Sequence, residues 1–196
     1  MKKTKKWKLI NKILEKSNKK NWEEAKLEWE IVSFEDECCD SITSCVCGQK
    51  NIKYLFKIKN KETQKILFPI GSKCIRKFNS ASMIETAEIL EQFNNLLVKV
   101  ETEDWIEFKS TIFSRKLIDY LKKKNMFFNP NFPNFTNEDN AKFAKTMFNK
   151  RSKGTFTQED YEKKQKRESA IILKTLKPNL KSYLKNKIIY NSNYKN

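Results

Sequence analysis

The 196-residue chain can hold one moderate domain, or a small metal module on a helical body. Its 14 Phe and 4 Trp exclude disorder throughout, although 33% of residues are charged; only 3 Gly and 4 Pro exclude a loop-rich all-β fold. The formal charge of +17 is concentrated at the ends, with a net +8 over residues 1–20, +10 over 145–196 and −1 between them; such ends attract polyanions, nucleic acid above all.

The first predicted element is a helix over 4–16, with Trp7, Ile10, Ile13 and Leu14 on one face at a spacing close to 3.6. Lysines, Lys5 and Lys6 among them, cover the other face. The apolar stripe suits packing on the body, and the basic face suits a phosphate backbone or a membrane surface. A second short helix is expected over 22–30, from Trp22, Ala25, Leu27 and Trp29. Residues 31–37 lead from it, through an acidic run, to the cysteines.

All five cysteines lie between residues 38 and 74. Cys45 and Cys47 are one residue apart and Gly48 follows, which lets the backbone turn without a Cβ clash. Residues 53–59 and 64–70 read as two strands of a hairpin around the turn Asn60-Lys61-Glu62-Thr63. Cys74 then opens a short amphipathic stretch, where a helix N-terminus favours its thiolate. This is the layout of a four-cysteine zinc-ribbon or treble-clef-like module, embedded in a mostly helical α+β protein. A structural zinc needs four soft ligands, and with no His in the chain they must be cysteines. Cys45, Cys47 and Cys74 supply three; Cys39, or Cys38 in its place, supplies the fourth. The C-x-C gap is tighter than the usual two to four residues. Buried reduced cysteines without metal are the plain alternative, and disulfides would need an oxidising compartment and leave one of five thiols over.

The run Glu28-Trp29-Glu30-Ile31, the Cys45-Val46-Cys47-Gly48-Gln49 knuckle, Ile58-Lys59-Asn60 with Thr63, and Ile70-Gly71-Ser72-Lys73-Cys74-Ile75-Arg76-Lys77-Phe78 resemble a group of small uncharacterised phage and mobile-element proteins. The likeness covers roughly residues 22–79. Gln64 departs from it, standing where the group often has Gly. The resemblance implies a zinc-ribbon-like module on a protein of viral or mobile-element type, often associated with nucleic-acid transactions.

Beyond Phe78, helices are expected over 82–98 (Ile84, Ala87, Leu90, Phe93, Leu97 inward), 110–124 (Ile112, Phe113, Leu117, Leu121 inward), 137–150 behind Thr136, and 157–176 up to Pro178. One more turn or two is expected over 179–188, before a frayed tail. Residues 127–135 hold four Phe among two Pro, and these rings either plug the helical core or stack single-stranded bases. The expected segments are N-terminal basic helices over 1–33, the zinc module over 34–79 and a basic helical region over 80–196, with soft boundaries and room for one shared core.

Without His, the commonest general base and the Ser-His-Asp triad are excluded; three glycines make no phosphate loop. The acidic pairs Glu103-Asp104, Glu138-Asp139 and Glu159-Asp160 sit at predicted helix starts, where acids are expected anyway. No enzyme is read. The first reading is a zinc-containing nucleic-acid-binding protein whose Lys150, Arg151, Lys153, Lys163, Lys164, Arg167, Lys5 and Lys6 meet phosphates. The second is an inhibitor or adaptor that binds a host protein, such as a phage anti-defence factor against a nuclease, with the aromatic loop as anchor. No apolar run reaches the ~18 residues of a membrane span, and no signal peptide is read, so the expected location is the cytoplasm, the host's if the chain is phage-encoded.

Overall fold

The computed structural model describes residues 4–36, 42–103, 106–133 and 136–183. It is α+β, 58% helical, with one three-stranded antiparallel sheet. The chain divides into two compact units, Met1–Glu91 and Gln92–Asn196, each built on a core of its own. The expected segments 1–33 and 34–79 share the first of these cores, and the division falls inside the long helix that follows.

In the first unit Thr4 caps helix α1, Lys5–Lys16, by accepting from the Trp7 N–H. Leu9 and Ile13 are fully buried. Trp7 is 40% exposed, so the buried stripe is centred one residue away from the expected one. Helix α2 is a single turn, Trp22–Ala25, followed by a 3-10 turn over Lys26–Glu28. The chain then becomes strand β1, Trp29–Asp36, where the sequence pattern suggested the end of a helix and a lead to the cysteines. The β-branched and aromatic run Ile31-Val32-Ser33-Phe34 outweighs the helical spacing of the tryptophans. Strand β1 pairs antiparallel with β2, Tyr54–Asn60, from Trp29↔Asn60 to Asp36↔Tyr54. Strand β3, Ile66–Ile70, pairs with the other side of β2. The expected two-stranded hairpin is therefore one side of a three-stranded sheet, which a hydrophobic face can stabilise where a lone hairpin is marginal. Pro69 sits in the edge strand β3, where its missing N–H costs no ladder bond. In the β2–β3 turn, Gln64 adopts φ +59°, the left-handed region that favours Gly.

A buried polar network ties the end of α1 to this turn. The Glu28 carboxylate accepts from the backbone N–H of Asn18 and Lys19 and from Asn60 Nδ2, at 2.9, 2.8 and 2.6 Å. Burial pushes the Glu28 carboxyl up, but the hydrogen bonds from Asn60 and the two backbone amides outweigh it and hold it low. Asn60 Oδ1 accepts from the N–H of Glu62 and Thr63, and Ser17 Oγ accepts from Trp29 Nε1 at 2.8 Å. Asn60→Ala would remove the turn's organiser and leave a buried carboxylate short of a donor. Hydrogen bonds to charged groups are worth ~1.5–3 kcal/mol, so a loss of about 2–3 kcal/mol is expected in urea unfolding. A loss below about 0.5 kcal/mol, the range of surface substitutions, would contradict this role.

Helix α3 is one turn, Ser72–Ile75, extended by a 3-10 turn over Arg76–Phe78 and ended at Asn79 with φ +51°. Helix α4, Ala81–Thr102, runs longer at both ends than expected. Its first half gives Met83 and Ala87 to the first core. Its second half gives Phe93, Leu96, Leu97 and Val100 to the second.

In the second unit, helix α5 is Arg115–Lys123, starting five residues later than expected because Ser114 caps it by accepting from the Leu117 N–H. Helix α6, Asn137–Ser152, starts behind Thr136 as read. Helix α7, Gln158–Ile171, starts in a capping box between Thr157 and Asp160. It does not stop at Pro178. A π-turn over Ile172–Leu176 follows, and residues 177–183 continue as helix. Proline lacks the N–H that would bond the Lys174 carbonyl; Asn129 Nδ2 donates to that carbonyl instead. Of the aromatic loop, Phe127 is fully buried and plugs the core, whereas Phe132 is 42% exposed.

Candidate metal centre

Three segments converge on one point of the first unit. The first is the knuckle Cys45–Gly48. The Gly48 N–H donates to the Cys45 carbonyl at 2.7 Å and the Cys45 N–H to the Gln49 carbonyl at 2.9 Å. Gly48 takes φ +84°, so this turn needs glycine. That closure brings two cysteines with a one-residue gap to the same side. The second is the end of β3, docked on the knuckle by the Val46 N–H donating to the Pro69 carbonyl at 3.0 Å. The third is α3, which carries Cys74. Gly71 lets these segments approach closely, since a Cβ there would meet Ile52 Cγ2 at 3.2 Å.

The result is a sulfur triangle. The Sγ atoms of Cys45, Cys47 and Cys74 lie within 4.8 Å of one another and all three residues are buried. Cys45 and Cys74 Sγ are 3.7 Å apart. Two sulfurs bound to one tetrahedral zinc at ~2.3 Å would lie ~3.8 Å apart. The Gly71 N–H donates to Cys45 Sγ at 3.4 Å. The hydrogen bond from Cys74, outweighing burial and joined by backbone donors, brings the Cys45 thiol down to about 5. The same bond and burial push the Cys74 thiol up. A divalent ion bound by both sulfurs would replace this hydrogen bond. Among the described residues this is the one group of three metal-donor side chains that converge. These three thiols can bind a metal. Cys38 and Cys39, read as alternatives for the fourth ligand, lie outside the described residues.

The basic residues expected at an anion interface divide into two kinds. Arg151 is bound to Glu168 by two bonds of 2.6 and 2.8 Å, with side chains 13% and 2% exposed, and Glu168 also accepts from the Phe108 N–H. The Arg151 guanidinium further stacks on Phe156 at 4.2 Å. It is a core element and not an open cation. Lys150 and Lys164 both bond the Asp160 carboxylate, and they hold that carboxyl well below its usual range. Arg167 stacks on Phe143 at 4.5 Å. Lys163 pairs with Glu159 on the open surface, where such pairs contribute little. Lys6 and Lys153 are exposed and carry no ion pair among the described residues. Lys5 donates to Gln49 Oε1 at 2.6 Å, beside the knuckle.

The Arg151–Glu168 pair escaped the sequence reading, because residues 17 apart on different helices leave no local pattern. No family model, no curated protein and no solved structure matches the chain. Among the described residues, no helix is long and apolar enough to cross a membrane.

Proposed function

We propose that the chain is a non-enzymatic protein, of phage or mobile-element type, that holds a structural zinc and binds nucleic acid mainly by lysine contacts to phosphate. Cys45, Cys47 and Cys74 with Cys39 or Cys38 would form the closed four-thiolate site of a zinc-ribbon-like knuckle. Four thiolates leave no open coordination position, so such a zinc organises the fold and performs no chemistry. The observation that carries the zinc is the buried sulfur triangle, whose 3.7 Å edge fits a tetrahedral ion.

The nucleic-acid reading rests on uncompensated charge. With Arg151, Lys150 and Lys164 engaged internally and Lys163 paired with Glu159, exposed cations such as Lys6 and Lys153 remain for phosphate, in a cytoplasmic setting. Lysine contacts of this kind position a backbone without reading its sequence. Neutralising six or more phosphates predicts an affinity loss of ~10³-fold or more between ~50 and ~200 mM salt. Anisotropy titrations of labelled DNA and RNA over that range check it. Affinity that stays flat with salt would contradict the reading, as would a host protein retained in pull-downs after nuclease digestion, which the inhibitor or adaptor predicts.

A further inference from the structure

Resting on the nucleic-acid reading, we infer that a cavity between α6, α7 and the 128–133 loop takes one unstacked nucleotide of a single-stranded nucleic acid. The cavity holds about 310 Å³. That is the low end of small-molecule sites and suits a single base more than a larger ligand.

Three independent features of its lining point to the same ligand. Phe132 lines the cavity and is 42% exposed. Large apolar rings are left in solvent at a cost, and a stacked base recovers it. Asn140, 1% exposed, also lines the cavity. Its Nδ2 donates to the Phe127 carbonyl at 2.9 Å, which fixes which end of the amide is oxygen. Its Oδ1 is buried and has no hydrogen-bond partner among the described residues. An unmet buried acceptor is a standing cost; this oxygen is closed to solvent, so an N–H donor relieves it by displacing the cavity wall over it. Every nucleobase carries an N–H on its pairing edge. Finally, Lys166 and Lys174 line the cavity, both exposed and without an ion pair among the described residues. Lys174 Nζ lies over the Phe132 ring, 4.8 Å from its centroid, so the cation covers one face and a base would stack on the other. Ring, acceptor and adjacent cations match the face, edge and phosphate of one nucleotide.

A duplex keeps its bases stacked and cannot offer this face, so the site distinguishes single strands from duplexes. Because any base has a π-face and an N–H edge, it discriminates weakly among bases.

The test uses the full chain with labelled single-stranded and duplex oligonucleotides of equal length, comparing Phe132→Ala and Phe132→Trp. Phe132 is partly exposed, so neither change threatens the fold. Phe132→Ala is expected to weaken single-strand binding about fivefold to a hundredfold, the effect of losing one stacked base, and to leave duplex binding unchanged. Phe132→Trp is expected to retain single-strand affinity. Single-strand affinity unchanged in Phe132→Ala, or an equal loss for both polymers, would overturn the pocket while the nucleic-acid reading stands. Failure of the unaltered chain to bind either polymer would overturn both.

Discussion

Cys74→Ser is expected to unfold the first unit. Structural zinc contributes on the order of 10 kcal/mol or more to small metal domains, and the whole net stability of a domain is only about 5–15 kcal/mol. If the proposed closed zinc site is present, removing one thiolate from it should therefore exceed what the remaining core supplies. Amide hydrogen exchange is the direct measurement. Protection should vanish across β2 and β3, which flank the knuckle, and persist in α6, which belongs to a separate core. The size of the loss decides between the two accounts of these cysteines. If they were only buried thiols, serine would place a small hydroxyl in a site 3% exposed. That costs roughly 1–3 kcal/mol, as for other buried polar groups. A loss in that lower range, with β2 and β3 still protected, would mean that the thiols serve packing alone.

The second large effect is expected from Glu168→Ala. Arg151 is 13% exposed and its partner 2% exposed, so the charge pair is nearly cut off from water. Breaking such a pair by removing one partner costs about 3–5 kcal/mol, because the surviving charge is stranded. Here the Phe108 N–H loses its acceptor as well. The comparison is Lys163→Ala, whose open pair with Glu159 should contribute no more than ~1 kcal/mol. The double variant Arg151→Met/Glu168→Leu should recover most of the loss, since apolar replacement of both partners is often neutral. Urea unfolding of the second unit distinguishes these outcomes. Equal and small effects at both pairs would contradict the structural role assigned to Arg151.

Arg151 also shows why the basic ends were only half legible. Its type and its place in a dense basic turn resemble a phosphate contact as read from the sequence. Its true partner stands on another helix, and no spacing rule reports that. Lys150 and Lys164 are similar, since the acid that engages them, Asp160, reads locally as a capping residue, which it also is. The helix starts behind Thr136 and Thr157 were legible because capping is local chemistry. The sheet's third strand was not, because two tryptophans at helical spacing hid the β-branched run beside them. The helix across Pro178 was hidden too, since the side chain that relieves its broken hydrogen bond comes from Asn129. The sulfur triangle was foreseen from the cysteine spacing, Gly48, the hairpin between the cysteines and the absence of His. Its surroundings were not, for the cysteines lie within a larger core that includes Leu9, Ile13, Trp29, Phe56 and Phe78.

The claim on which the rest depends is that these thiols bind zinc. Elemental analysis of the purified chain, with thiol titration before and after denaturation, tests it most directly. The account predicts one zinc per chain, four thiols shielded until the metal is released, and no zinc in Cys74→Ser. A folded chain that carries no zinc, takes none up on addition and titrates its thiols freely would contradict it.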